Sequence, residues 1–186
     1  MLTVNFSPFP VLETERLILR RLINDDVKGV FMLRSNPELM FYIPRPLAQN
    51  DADALEHIAQ IDDKIQNNIG INWAICLKDN PEFIGLIGLF KIDFENYRSE
   101  LGYMLLSDFH GKGIVTEAIH EVLRYGFENM QLHSVEAIID PEHQASERVL
   151  QKNGFIKEAH IKENEYFGGK FWDTVIYSIL KRNFKK

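Results

Sequence analysis

The chain has 186 residues, 45% of them hydrophobic, and a formal net charge of -6 at pH 7. This length suffices for one domain with a substantial core, whereas the acidic balance argues against sequence-independent nucleic-acid binding, which depends on dense Lys and Arg. No apolar run reaches the roughly 20 residues that span a bilayer, and no basic segment opens the chain, so we expect a cytoplasmic protein that binds neither nucleic acid nor membrane.

Predicted elements alternate between strands and helices, without internal repeats. Leu17 and Leu19 alternate with arginines in a first strand, and the run Asn-Asp-Asp at 24–26 offers an N-cap for a helix that ends at about residue 35. A longer helix is predicted over about 51–67 and ends before Gly70. Strands are predicted at about 71–78, 82–93 and 97–106.

The second half of the chain continues the alternation. A helix is predicted over about 113–130, a strand over about 133–139, and a short helix over about 143–153 that Gly154 closes as a left-handed C-cap. Gly168 and Gly169 favour a two-residue hairpin turn between two last strands. The two tryptophans, Trp73 and Trp172, are interpreted as core residues or as lining of a cleft.

The residue types that bind metals lack the spacing of a metal site. The chain has one cysteine, Cys76, which excludes an internal disulfide and fits a reducing compartment. No histidine pair lies four residues apart, and no Cys-x-x-Cys accompanies the histidines, so we predict no metal. The histidines are His57, His110, His120, His133, His143 and His160.

Residues 100–118, ELGYMLLSDFHGKGIVTEA, run from a strand through a glycine-flanked turn directly into a helix. The leading N–H groups of a helix have no partner within the helix, and the aligned peptide dipoles add about half a positive charge there. Gly111 and Gly113 lack a Cβ atom, so a charged ligand can approach the backbone closely, and Lys112 adds a positive charge. The junction therefore favours phosphate binding.

Two common phosphate motifs do not fit this turn. A Walker A loop requires glycine at position 106 and Ser or Thr after the lysine, where the chain has Leu106 and Gly113. A dinucleotide fingerprint requires a third glycine where Thr116 stands. A turn that binds no ligand stays an open alternative on this motif alone.

Four segments together resemble the GNAT acyl-CoA N-acyltransferases, and within them the Rim-type branch of ribosomal-protein N-terminal acetyltransferases. Residues 12–22 are similar to the branch's opening strand, 100–103 to its fourth strand, 110–118 to its acetyl-CoA loop, and 145–155 to its fourth helix and following strand. The resemblance implies a GNAT fold over residues 1–186. It is an α/β (α+β) fold with a mixed, mostly antiparallel central sheet of about seven strands and about four flanking helices.

The resemblance also implies acetyl-CoA as the acyl donor. Backbone amides in the loop would bind its pyrophosphate: Gly111, Lys112, Gly113, Ile114, Val115 and Thr116. The preceding strand would pair with the pantetheine arm through Met104, Leu105 and Leu106. His143 and Asn153 complete the implied cofactor-binding set, and the role of His143, where the family usually has asparagine, is open. His110 and Val115 depart from the family's usual loop, but main-chain contacts tolerate such changes.

Glu100 is the candidate general base. Strand alternation puts Glu100, Gly102 and Met104 on one face, and the missing side chain at Gly102 would leave space beside the carboxylate for a substrate or water. Arg98 shares that face, so a surface ion pair with Arg98 is the alternative reading of Glu100.

Ser146 is the candidate acid for the leaving thiolate. Many members of the family have a tyrosine where this chain has Leu150, and the Rim-type resemblance suggests Ser146 instead. Helical spacing places Ser146 on one stripe with Val149, Leu150 and Asn153, although a serine in a first helical turn often only bonds the local backbone. The strand tyrosines are interpreted as structural: Tyr103, Tyr166 and Tyr177.

The resemblance points to a protein N-terminal α-amine as acceptor, and such an amine needs only a modest base because its pKa lies near neutrality. A polyamine or aminoglycoside-like amine is the variant acceptor. A non-catalytic acyl-CoA sensor is the alternative from another class of function. The sequence leaves open whether the protein is a monomer or a homodimer.

Overall fold

The structure is a computed structural model that describes residues 1–185. Within them, four α-helices and eight β-strands surround a hydrophobic core. The helices are α1 (Val27–Ser35), α2 (Asp51–Gln66), α3 (Ile114–Glu128) and α4 (Gln144–Lys152). The strands are β1 (Leu12–Glu13), β2 (Leu17–Arg20), β3 (Ile71–Leu77), β4 (Phe83–Asp93), β5 (Arg98–Leu105), β6 (Ser134–Ile139), β7 (Ile156–Phe167) and β8 (Lys170–Leu180).

All eight strands form one sheet in the order β1-β2-β3-β4-β5-β6-β8-β7. Neighbouring strands run antiparallel except β5 and β6, which run parallel. The expected mixed, mostly antiparallel sheet with four helices is thereby confirmed. The sheet has one strand more than the seven expected, because the two residues of β1 pair with Leu19 and Ile18 of β2.

One helix start differs from its prediction. Residues Asn24–Asp26 form a 3-10 turn ahead of α1, and no side chain of this run caps the helix. Asp26 is buried instead and binds the Arg20 guanidinium through both carboxylate oxygens, at 2.8 and 2.7 Å. The same carboxylate also accepts from the Ile23 amide at 3.0 Å, so Asp26 binds Arg20 and the residue ahead of the 3-10 turn instead of capping α1.

Both predicted glycine turns are present. Gly154 follows α4 with a φ of +84°, and Gly168 and Gly169 join β7 to β8 with φ values of +61° and +85°. Positive φ at both central residues is typical of the type I′ hairpin turn, whose twist matches that of the flanking strands.

The side chains of β5 divide between the two faces of the sheet. Leu101 and Tyr103 lie opposite Leu89 and Ile87 of β4, and the Leu89 Cδ1 atom would lie 3.2 Å from a Cβ atom added at Gly126 of α3. Leu101, Tyr103 and Leu105 therefore face α3. By alternation, Glu100, Gly102 and Met104 point to the opposite face of the sheet.

The two halves of the sheet separate next to the end of β5. The parallel pairing with β6 covers only residues 98–100, matched with 134–136, although β5 continues to Leu105. The rest of β6, residues 137–139, pairs only with β8. Within the described chain, residues 101–105 therefore have a strand on the β4 side and an open edge on the other. No helix among these residues has the length and apolar character needed to cross a bilayer.

Candidate functional site

The glycine-flanked turn ends in six backbone amides that point away from protein acceptors. Gly111 and Gly113 adopt left-handed φ values of +73° and +75°, and Gly113 is the N-cap of α3. The first backbone bond of the helix runs from the Glu117 amide to the Gly113 carbonyl. Among the described residues, no protein acceptor receives a hydrogen bond from the amides of residues 111–116. An anion held by these amides would also meet the positive end of the α3 dipole.

Side chains from the turn between β1 and β2 hold this loop in place. The Thr14 hydroxyl donates to Glu117 Oε1 at 2.5 Å, and Arg16 Nε donates to Glu117 Oε2 at 2.7 Å. Arg16 Nη1 also donates to the Lys112 carbonyl at 3.0 Å. Burial raises the pKa of Glu117, but the hydrogen bonds from Thr14 and Arg16 outweigh it and lower the pKa below its usual value. The ionised carboxylate thus ties the first turn of α3 to the sheet.

The open edge of β5 offers Leu105 for pairing but not Leu106. The Leu106 amide donates to the Ile84 carbonyl at 2.9 Å, and the Leu106 carbonyl accepts from the Phe109 amide at 3.0 Å. Because polar groups alternate in direction along a strand, those of Leu105 point to the open edge. Of the three residues predicted to pair with a pantetheine arm, only Leu105 presents its polar groups to the open edge, whereas those of Met104 and Leu106 point to β4 or into the turn. His110 Nε2 lies 2.9 Å from the Leu105 carbonyl oxygen, so this histidine also contacts the edge.

Ser146 lies beside a tyrosine of β5. It is 5% exposed, at the start of α4, and its Oγ atom lies 2.6 Å from the Tyr103 hydroxyl oxygen. Burial raises the pKa of Tyr103 to about 12, and the hydrogen bond with Ser146 opposes the rise. The phenol therefore carries its proton at neutral pH. Sequence reasoning treated Tyr103 as structural, although strand alternation could have placed it on the helix-facing side.

His143 caps α4 and carries an aromatic neighbour. Its Nδ1 atom accepts from the Ser146 amide at 3.4 Å, and its ring stacks on Tyr42 with centroids 4.4 Å apart. Burial lowers the pKa of His143 against the opposing charge of Asp140, which keeps the ring neutral as the cap requires. Asn153 lies at the other end of α4, where its side chain donates to the Val149 carbonyl at 3.0 Å.

Glu100 lies on the face of β5 opposite Tyr103. Its side chain is 12% exposed and pairs with Lys91 Nζ at 2.7 Å, whereas Arg98 pairs with Glu136 at 2.6 Å. The alternative reading of Glu100 as an ion-paired carboxylate therefore has the wrong partner in Arg98, but the ion pair itself is present, with Lys91. The expected space beside Gly102 is also filled, because a Cβ atom there would lie 2.6 Å from the Phe90 ring. Access to the Glu100 carboxylate must come from the side of Lys91 or from the open edge of β5.

An apolar cavity of about 180 Å³ lies close to His143. One wall is the segment 40–47 between α1 and α2, and the other is Phe167 and Trp172 at the end of the β7–β8 hairpin. The segment includes Tyr42, so the cavity wall touches His143 directly. A groove next to the cavity is lined by Pro44, Arg45, Glu165 and Tyr166.

No group of three or more His, Cys, Asp or Glu residues within residues 1–185 has an arrangement that could hold a metal ion. The site thus combines a helix start with unpaired amides, an open strand edge, a hydroxyl pair and a carboxylate. The cavity is lined by Trp172, which was predicted to lie in the core or to line a cleft, and by Tyr42 and Phe167, which no motif had selected.

Comparisons with known proteins agree with this geometry. Residues 16–156 match the family model described as an acetyltransferase (GNAT) domain. The uncharacterized N-acetyltransferase YoaA of Bacillus subtilis is 34% identical over 173 residues, which are 93% of this chain and 98% of YoaA. A spermidine N(1)-acetyltransferase of Vibrio cholerae is 23% identical and covers 91% of this chain and 95% of its own length.

Solved structures share the fold over nearly the whole chain. A GNAT-family acetyltransferase from Bacillus anthracis superposes with a TM-score of 0.84 at 27% identity, covering 93% of this chain and 99% of its own. RimL, a ribosomal L7/L12 alpha-N-protein acetyltransferase in complex with coenzyme A, has a TM-score of 0.83 at 19% identity. It covers 92% of this chain and 98% of its own.

Proposed function

Because the chain belongs to the GNAT acetyltransferase family and is an N-acetyltransferase, we propose that it transfers the acetyl group of acetyl-CoA to a protein N-terminal α-amine. The observation that carries the proposal is the run of unpaired amides at residues 111–116 beside the open edge of β5. Family membership supports an enzyme over the non-catalytic sensor considered from the sequence.

The donor fits this arrangement in two ways. A diphosphate would accept hydrogen bonds from amides of residues 111–116, where glycines allow close approach and the helix dipole adds positive charge. The amide-bearing pantetheine arm would lie along residues 101–105 and accept a hydrogen bond from the Leu105 amide, while the Leu105 carbonyl is already contacted by His110. Acetyl-CoA supplies the thioester, and all other chemistry is assigned to side chains of this chain.

Glu100 is proposed to take the proton of the attacking amine. An α-amine with a pKa of about 7.7–8.0 is roughly one-tenth neutral at pH 7, whereas a lysine ε-amine is neutral in roughly 4 molecules of 10,000. A single carboxylate acting through water is sufficient for the α-amine. The partner of Glu100, Lys91, is 66% exposed, so the pair contributes at most about 1 kcal/mol and an incoming ammonium group can replace it.

Ser146 and Tyr103 are proposed to stabilise and protonate the leaving thiolate. As the amine nitrogen attacks the thioester carbonyl, the C–S bond breaks and the sulfur takes up a proton. The Ser146 hydroxyl can donate that proton while accepting one from Tyr103, which is protonated at rest because its pKa is about 12. The phenolate that this transfer leaves would regain its proton from solvent when coenzyme A departs. Glu100 and this pair lie on opposite faces of β5, so a thioester at the open edge of residues 101–105 would have to be reached from both faces.

A small polyamine is the second candidate acceptor, because a spermidine N(1)-acetyltransferase matches most of the chain. A thiol-release assay with acetyl-CoA tests both acceptors. The panel contains peptides with a free α-amine, the same peptides blocked at the N-terminus but carrying a lysine, and spermidine. We expect turnover with free α-amines and little with the blocked peptides. Thiol release with spermidine alone would refute the α-amine acceptor while leaving the enzyme class intact.

A further inference from the structure

We propose that the apolar cavity beside His143 selects an acceptor that carries an uncharged apolar or aromatic side chain within two residues of the acetylated α-amine. The inference rests on the proposed function and names the substrate class of that same site. It starts from the position of the cavity, which lies between the segment 40–47 and the two aromatic residues Phe167 and Trp172.

Three contacts connect the cavity to the hydroxyl pair. Tyr42 belongs to the cavity wall and stacks on His143 at 4.4 Å between ring centroids. His143 Nδ1 accepts from the Ser146 amide at 3.4 Å, and Ser146 Oγ lies 2.6 Å from the Tyr103 hydroxyl. The cavity wall is therefore linked to the hydroxyl pair through two residues in contact, Tyr42 and His143. This proximity assigns the cavity to the acceptor's first residues.

The size of the cavity matches one side chain. A cavity of about 150 Å³ lined by apolar residues binds benzene, and the cavity here has about 180 Å³. Sites for drug-sized ligands are larger, about 300–1,000 Å³. The cavity thus has room for one aromatic ring or branched aliphatic chain, with the peptide backbone outside it.

The charges around the cavity disfavour a polyamine. Among the described residues that line it, none is a carboxylate and one, Arg45, is a cation. Lys170 Nζ lies 3.3 Å from the centroid of the Trp172 ring, which adds a second positive charge at the rim. The adjoining groove contains Glu165 together with Arg45, so its formal charges cancel. A spermidine chain would meet two cations and one carboxylate, whereas an apolar side chain loses nothing by leaving water.

The test measures kcat/KM for thiol release with two peptide series, in which residue 1 or residue 2 is varied among Phe, Leu, Ala, Lys and Glu, and with spermidine. We expect Phe or Leu to exceed Ala, Lys and Glu by about tenfold or more at one of the two positions. Trp172→Ala should remove that preference. Phe171→Ala is the matched control, since Phe171 is the neighbouring aromatic residue but is 62% exposed and does not line the cavity.

A second variant is expected to acquire a new peptide preference, which an unfolded protein cannot show. Ile43→Glu introduces a carboxylate into the cavity wall and should invert the preference toward lysine-bearing peptides, whereas Ile161→Glu, on an exposed part of β7, should not. Equal turnover of all α-amine peptides, or an unchanged preference in both Trp172→Ala and Ile43→Glu, would overturn this inference and leave the α-amine acceptor standing. Spermidine as the sole good acceptor would overturn both.

Discussion

The hydroxyl pair of Ser146 and Tyr103 gives the sharpest prediction. Ser146→Ala and Tyr103→Phe each remove one hydroxyl group without changing the shape of the site much. If the two hydroxyls form one proton path to the thiolate, either substitution should slow acetyl transfer strongly. The double variant should then be only slightly slower than either single variant, because the path is already broken.

The contacts of the two hydroxyls set the expected losses of stability and of kcat. The two oxygens lie 2.6 Å apart, and Ser146 is 5% exposed, so each single substitution leaves the other hydroxyl without its partner in a poorly hydrated place. The stability cost of such an unsatisfied group is about 1–3 kcal/mol. General acid catalysis contributes about 10²- to 10⁴-fold, and for a weakly acidic hydroxyl we expect the lower end, about 100-fold in kcat, or about 2.7 kcal/mol.

The assay combines single-turnover acetyl transfer with calorimetric binding of coenzyme A to each variant. Urea unfolding of the same samples separates lost folding from lost chemistry. We expect kcat to fall by about 100-fold in each single variant and in the double variant, while the Kd for coenzyme A changes by less than about threefold.

Two results would refute the reasoning. If the losses from Ser146→Ala and Tyr103→Phe multiply in the double variant, the hydroxyls act independently. If Ser146→Ala weakens coenzyme A binding while bound-state turnover is retained, Ser146 is a cofactor contact and not the acid.

The remaining predictions concern the base, the loop and alkaline stability. Glu100→Gln should lower kcat by at most about tenfold at pH 7, because roughly a tenth of an α-amine is already neutral there. This deficit should vanish above about pH 9, where the amine is neutral without a base. A loss of kcat that does not change with pH would contradict the role of Glu100 as base. Gly111→Ala should weaken coenzyme A binding about tenfold by calorimetry, because a Cβ atom disfavours the φ of +73° by about 1–2 kcal/mol while meeting open space. Gly168→Ala, with a φ of +61° in the hairpin, is the control and should bind normally. Burial raises the pKa of Tyr103 from 10 to about 12, so the folded state holds a proton that the unfolded state releases. This stabilisation is present below pH 10 and should be lost, by up to about 2.7 kcal/mol, as the pH rises toward 12. In urea unfolding between pH 10 and 12, Tyr103→Phe should lack this loss. An equal dependence of the unfolding free energy on pH in the two proteins would contradict the prediction.

The loop was predictable from sequence because its geometry is local. Glycines at 111 and 113 supply the positive φ values, and any helix that starts there exposes its first amides. Glu100 and Ser146 were also selected from the sequence, but their partners were not. Tyr103 and Ser146 are 43 residues apart, and Lys91 contacts Glu100 only because the adjacent antiparallel strands β4 and β5 bring them together.

The sequence by itself determined the elements of this protein, its glycine turns and the helix start with its unpaired amides, since periodicity, φ preference and capping depend on neighbouring residues. Only the tertiary structure decided which surfaces meet. It filled the space beside Gly102 with Phe90, turned Arg98 toward Glu136, and separated β5 from β6 after three residue pairs. It also closed the apolar cavity between two segments more than 100 residues apart. Such contacts follow from the packing of distant segments around one core, which no local pattern encodes.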